Sequence, residues 1–402
     1  MTERGVSVDG RPAAEPERDG VGERRSAVLG IGIDPMRAEE LVERVARMAT
    51  RGGSHLICYV NAECLNQALF DRRYRSILHQ ADVVYADGMG VVWASRLTER
   101  ALSERITLGD ALPDFCRMAA EKGLRLFFLG GVPGTAQRAA ARLTERFPGL
   151  RIVDTHHGHF ALEESPQVID RINQAKPQIL LAGMGVPKQE KWLWQHRAQL
   201  QVPVLWGVGA LFDYYGGGVP RAPVWMRRLG LEWAFRLLLE PRRLWRRYLL
   251  GNAFFVLRTL TLLLVDAGLV TCSWLGAYWI WRWLDHPFGF TLNAVDPYRK
   301  AVILIVGTWL ATCAGFGLYR RSTAMSALAE LAQVIRATWV GLLSTMAVGF
   351  LFREYSFGRP VVVLAGVLTF ALLSASRLLA IRIMTRSSRN SLKARRSNIR
   401  SG

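Results

Sequence analysis

The sequence predicts an α/β domain with a parallel sheet, then an Arg/Trp-rich interfacial helical segment, then an α-helical transmembrane region. Three observations predict this. Between residues 27 and 219, short apolar runs bounded by glycine alternate with amphipathic stretches, the pattern of strands covered on both faces. A cationic, tryptophan-bearing stretch occupies 221–248. Apolar segments near the length of a bilayer core fill most of the remainder. The expected boundaries are therefore 1–26 for a tail, 27–220 for the α/β domain, 221–252 for a membrane-interface appendage, 253–385 for about four transmembrane helices, and 386–402 for a basic tail.

The first 25 residues are polar, charged and rich in Gly and Pro, without the apolar run of a signal peptide, which predicts disorder. Six strand candidates follow: SHLICYVNA, ADVVYADG, LRLFFLGG, RIVDTHHG, PQILLAGMG and VPVLWGVGA. Helices are expected over 36–51, 63–79, 111–122 and 135–147. Three strands end in glycine-rich turns, at Gly130-Gly131, Gly183-Met184-Gly185 and Gly207-Val208-Gly209. Open α/β sheets bind ligands outside the carboxyl ends of their strands. Glycine lets the backbone approach a phosphate, and a following helix offers free N–H groups. None of the three is G-x-G-x-x-G, and each alone also reads as a plain tight turn.

In the appendage, eight arginines are interleaved with Trp225, Trp233, Trp245 and Tyr248, and Pro241 divides it into two helices. Cations and indoles together favour the headgroup layer; a soluble basic helix is the plainer alternative. Apolar segments then cover roughly 254–283, 301–318, 331–352 and 361–383. The basic flanks at RRLWRRY, at Tyr319–Arg321 and in the final tail all fall on one side, which fits four spans with both ends in the cytoplasm; two spans plus buried hairpins are the alternative. Hydrophobic residues make up 50% and charged residues 21% of the chain, and the formal net charge of +19 sits beside apolar segments. That placement suits phospholipid and lipid pyrophosphate rather than nucleic acid. The five scattered cysteines contain no CxxC pair and indicate a reducing compartment. Asp266 lies inside the first apolar segment, eight residues after Arg258, and reads as a structural or interfacial residue.

The chemistry concentrates at strand ends. Asn61 ends one strand and Asp87-Gly88 the next, so both side chains should reach one rim. Asp87 could be a general base for an acceptor hydroxyl, or could cap the helix that starts near Met89. RITLGD sets Arg105 and Asp110 before a helix, and GMGVPKQEKW sets Lys188, Gln189 and Glu190 on a first helical turn. Lys188 or Gln189 could contact phosphate or sugar, or simply provide helix-surface polarity. His156, His157 and His159 are too tightly spaced for the usual separated metal-ligand pairs, and the chain contains no Asp-x-Asp. No metal and no cofactor are expected.

Seven ordered motifs, ADGMGVVW, RITLGD, FLGG-x-PG, THHGHF, GMGVPKQEKW, GVGALFD and RAPVWMRRLGLEW…RLLLEPRRLWRRY, make residues 28–252 resemble the WecG/TagA/CpsF glycosyltransferase family. The resemblance implies a Rossmann-like, metal-independent, inverting bacterial enzyme on the cytoplasmic face of the inner membrane. Such enzymes move N-acetylmannosamine or another hexose derivative from a UDP-sugar donor to an undecaprenyl-diphosphate-linked acceptor in cell-surface polysaccharide synthesis. Asp87 would be the catalytic base, with Asn61, Arg105 and Gln189 lining the substrate site. Lys188 and the backbone of Gly130, Gly131 and Gly185 would hold the donor, while Arg236, Arg243 and Arg246 would close over the site and bind the diphosphates at membrane lipid. One departure is Tyr59, where the family usually has threonine; a phenol there would reshape the sugar pocket. FGLYRR, LAELAQVIRATWVG and SASRLLAIRI resemble the N-terminal four-span region of polyprenyl-phosphate hexose-1-phosphate transferases, without their catalytic domain. A priming sugar-phosphate transferase and a non-catalytic membrane scaffold of an assembly complex are the rival readings. A homo-oligomer is left open.

Overall fold

A computed structural model describes residues 25–98, 100–288, 295–319, 327–351 and 360–379. Residues 1–24 of the expected first tail, 99, 289–294, 320–326, 352–359, the end of the expected transmembrane region at 380–385, and the tail 386–402 lie outside the described residues.

Ser26, the last residue of the expected tail, opens a two-stranded antiparallel hairpin of β1 (Ser26–Val28) and β2 (Ile31–Ile33). Leu29 and Gly30 turn it, both with positive φ, as a two-residue hairpin requires. Asp34 then covers the edge of the main sheet: its carboxylate accepts from the Val84 N–H at 2.7 Å, and its own N–H donates to the Val84 carbonyl.

The main sheet contains six parallel strands, β3 (His55–Val60), β4 (Val83–Ala86), β5 (Arg125–Gly130), β6 (Arg151–His156), β7 (Ile179–Gly183) and β8 (Val204–Gly207), in the order β4-β3-β8-β7-β5-β6. All six coincide with the strand candidates. Five are nearly continuous in buried residues, as strands packed between two helical layers must be. β6 instead alternates exposed and half-buried residues, because it is the edge strand. Helices Ala38–Arg51, Leu108–Glu121 and Thr135–Arg146 match the amphipathic stretches to within a few residues. The single helix expected over 63–79 is in fact two, Ala62–Phe70 and Arg72–Gln80. Asp71 divides them, its carboxylate accepting from the Tyr74 N–H at 2.9 Å as an N-cap.

The appendage forms short helices Val224–Arg228, Glu232–Leu239 and Pro241–Trp245, then a π-helical stretch Arg246–Leu250 that runs directly into the 38-residue helix Gly251–Phe288. Helices Val295–Gly315, Ala327–Leu351 and Pro360–Leu379 follow. Among the described residues two helices, Pro241–Leu284 and Pro360–Leu379, are long and apolar enough to cross a membrane, and Val302–Gly315 is a shorter apolar helix. Asp266 pairs with Arg377 on the helix Pro360–Leu379, both buried, and Arg258 donates to the Leu65 carbonyl at 2.9 Å.

Candidate active site

The carboxyl ends of the parallel strands, the appendage and the start of the long helix enclose a cavity of about 1340 Å³. Ordinary small-ligand pockets hold roughly 300–1,000 Å³, so the space suffices for two substrates together. β3 and β4 are register neighbours, Val60 beside Ala86, and so deliver Asn61 and Asp87 to the same rim.

Asp87 leaves its strand with its N–H donating to the Val60 carbonyl at 2.8 Å. It does not cap the helix Met89–Ser95: Gly88 is the N-cap, and no side chain bonds there. The carboxyl group lines the cavity with part of its surface open. Burial pushes its pKa up to about 6; the Thr107 hydroxyl, Arg105 and Arg247 oppose that rise, and Glu232 adds to it. Water in the open part of the cleft moderates the effect. Asn61 lines the cavity while its side-chain oxygen caps the helix Ala62–Phe70, accepting from the Cys64 N–H at 3.1 Å. Its amide nitrogen is left for the cavity. Tyr59 stands behind Asn61, its ring against Gly209, whose positive φ and lack of a Cβ admit the phenol.

The glycine turns divide into wall and support. Gly131, Gly183, Gly185 and Gly209 line the cavity. Gly130 does not; it packs on the Gly183 backbone, where a Cβ would collide, and the Gly131 N–H donates to the Gly183 carbonyl at 3.2 Å. Lys188 lines the cavity, donates to the Gly158 carbonyl at 3.2 Å, and lies over the Phe160 ring. Gln189 does not reach it. Its Nε2 donates to Glu190 Oε1 at 2.7 Å and its Oε1 accepts from the Gly209 N–H at 3.1 Å, both inside the protein. Glu190 is also fully buried, with Oε2 unpartnered among the described residues, and burial raises its pKa to about 7 against the hydrogen bond from Gln189.

Arg105 faces the cavity between Asp110 and Glu232, at 3.6 and 3.8 Å. Asp110 also takes Arg221 at 2.8 Å and Arg227, so the RITLGD motif fastens the appendage to the α/β domain. Arg236 and Arg243 line the cavity, Arg236 over the Tyr214 ring. Arg246 does not line it; its guanidinium lies on the Trp245 ring, and Arg247, one position on, takes the cavity-facing place. Arg247 lies four residues after Arg243, so the two share one helix face. The Nε atoms of Arg236 and Arg247 are buried without hydrogen-bond partners among the described residues. His159 lies at the cavity wall, bonded to the Gly131 carbonyl, while His156 and His157 stack on one another; no group of three or more His, Cys, Asp or Glu arranged for a metal occurs among the described residues.

The cavity thus gathers Tyr59, Asn61, Asp87, Arg105, Gly131, Gly185, Lys188, Arg236 and Arg243, but not Gly130, Gln189 or Arg246. Sequence reasoning missed Thr107, Asp213, Glu232 and Arg247. Asp213 lines the cavity within GVGALFD, and burial raises its pKa against Arg243 and Arg236. Glu232, the sole acid in its helix, was detectable as the counter-charge of an arginine-rich segment.

A family model, "Glycosyl transferase WecG/TagA/CpsF family", matches residues 26–266. Similar proteins named N-acetylglucosaminyldiphosphoundecaprenol N-acetyl-beta-D-mannosaminyltransferase occur in Staphylococcus aureus strains NCTC 8325 / PS 47, COL and MSSA476. Each is 32% identical over 221 residues, covering 54% of this chain and 86% of the relative. The fold, the strand-end cavity and these matches agree: the chain belongs to the WecG/TagA/CpsF family and is a glycosyltransferase.

Proposed function

We propose that this glycosyltransferase moves a hexose derivative, N-acetylmannosamine by likeness to the relatives, from a UDP-sugar to an undecaprenyl-diphosphate-linked sugar in cell-surface polysaccharide synthesis. The reaction is a single inverting displacement without a metal ion. Asp87 takes the acceptor hydroxyl proton as that oxygen bonds to C1; the C1–O bond to UDP breaks, and the diphosphate leaves with the electron pair. Arg236, Arg243 and Arg247 face the diphosphates and balance their charge. Gly131, Gly185, Gly209 and Lys188 border the donor, while Asn61 and Arg105 orient the sugars beside Asp87. Gln189 acts from beneath, holding the Gly209 turn. The observation that carries this reading is the meeting of Asp87 with arginine Nε atoms that lack protein partners, in one cavity at the carboxyl ends of the strands.

The reading extends to residues 253–385 as four spans of the cytoplasmic membrane, with the α/β domain and both termini in the cytoplasm. Two helices of sufficient length and apolarity support membrane insertion, while the count of four rests on the apolar segments of the sequence. The test is nucleotide release from membranes containing the full chain, given UDP-sugars and undecaprenyl-diphosphate-linked acceptors. Acceptor-dependent UDP, lost in Asp87→Asn, is the expected result. UMP would point to phosphotransfer, and no release across a broad panel from folded protein would favour a scaffold.

A further inference from the structure

The cavity has two chemically unlike halves, and one helix face lines both. Arg243, Arg247, Tyr248 and Asn252 form the first part of that face, and Phe255, Val256, Thr259 and Leu260 the second. From Asn252 onward the spacing is three and four residues, so these side chains lie in one stripe. The stripe is charged where the arginines gather and apolar where the long helix leaves the α/β domain. Its opposite wall is the helix Met89–Ser95 and the turn after it, with Gly90, Trp93, Ala94 and Leu97. The walls touch at Gly90, where a Cβ would lie 3.4 Å from the Phe255 ring, an ordinary contact distance. The two walls are fixed to each other. Phe255 is buried in the core of the α/β domain, Asn66 Nδ2 donates to the Gly251 carbonyl at 2.8 Å, and Phe254 stacks on Phe70 at 6.0 Å. Val256 is nonetheless 51% and Trp93 53% exposed, so the arm opens outward beside a helix long and apolar enough for a bilayer.

We propose that this arm is the binding site for the isoprenoid chain of the lipid-linked acceptor, with its diphosphate at the arginines and its sugar at Asp87. The inference rests on the transferase reading, and it adds where the lipid lies. Two facts select a polyprenyl diphosphate over a bilayer acyl chain as the occupant. The groove is continuous with the catalytic cavity, and its polar end is a cluster of three arginines, complementary to a diphosphate.

The test uses the full chain in nanodiscs. A polyprenyl diphosphate carrying a benzophenone on its first isoprene units should label peptides spanning 90–97 and 255–260, and undecaprenyl diphosphate should compete with it. Equal competition by phosphatidylglycerol, or labelling elsewhere, would overturn the proposal. Val256→Trp and Leu260→Trp, which fill the groove, should raise KM for the undecaprenyl-linked acceptor about tenfold, a loss of about 1.4 kcal/mol. They should leave kcat, and KM for a short-chain soluble acceptor, unchanged. Equal effects on both acceptors would also overturn it. If wild-type protein transfers sugar to no acceptor, the transferase reading fails instead, and the labelling pattern still decides the groove.

Discussion

Replacing Asp87 by asparagine separates catalysis from stability in opposite directions. The carboxyl group sits where burial raises its pKa from 3.8 to about 6. A displacement of about two units is about 3 kcal/mol at about 1.36 kcal/mol per unit, and solvent screening in the open cleft reduces the realised value to about 1.5 kcal/mol. The sign follows from linkage. Between pH 3.8 and 6 the unfolded carboxyl is ionised while the folded one still holds its proton. The folding penalty therefore grows through that window and is complete above it. Asp87→Asn should accordingly be more stable than wild type at pH 7.5, with the difference vanishing below pH of about 4. Its transfer rate should fall by about 10²–10⁴, the contribution of a general base. In the wild type, kcat/KM should decline tenfold per pH unit below about 6, as the base becomes protonated. The assay pairs UDP release with thermal unfolding of the purified full chain across pH. Wild-type transfer by a folded Asp87→Asn protein, or a pH profile flat from 7 to 5, would refute the assignment.

Three further outcomes are expected. Gln189→Ala strands the Gly209 N–H and the Glu190 carboxyl group, and should cost about 1–3 kcal/mol with a raised donor KM, read by unfolding and initial rates; an unaltered melting temperature would contradict the supporting role. Asp266→Leu should destabilise the helical region by about 3–5 kcal/mol, and Asp266→Leu with Arg377→Leu by much less, because the lone charge rather than the lost pair is costly; thermal unfolding in detergent measures both. Transfer should persist undiminished in excess EDTA, and loss restored by a divalent ion would show that the arginines do not balance the diphosphate charge alone.

The parallel sheet was legible because its chemistry is local: an apolar run closed by glycine has few other solutions, and all six strands lie where such runs predict. Asp87 and Asn61 were placed on one rim by the same logic, since parallel neighbours end together. The break at Asp71 was not read from the sequence, because a continuous amphipathic period runs through it, and only the folded N-cap bond reveals it. Other features were not local. Gln189 looks like an outward residue on a first helical turn, and only the approach of the Gly209 turn from another strand draws it inward. Arg246 and Arg247 lie three and four residues after Arg243, so periodicity alone admits either, and only the tertiary placement of the helix selects Arg247. Asp266 was readable as a buried charge, yet its partner lies 111 residues away.

If the continuous helix Pro241–Leu284 crosses a bilayer, it fixes the height of the reaction centre. From Leu260, the last cavity residue on it, to Leu284 the rod measures about 36 Å at about 1.5 Å per residue, close to the roughly 30 Å thickness of a hydrocarbon layer. Nothing is left over for a stalk. In a bilayer the catalytic chamber would ride close to the surface, and a thinner or thicker membrane would be met in part by leaning the rod, which would tip the chamber with it. Bilayer thickness would then be a mechanical input to sugar transfer, delivered without any effector molecule.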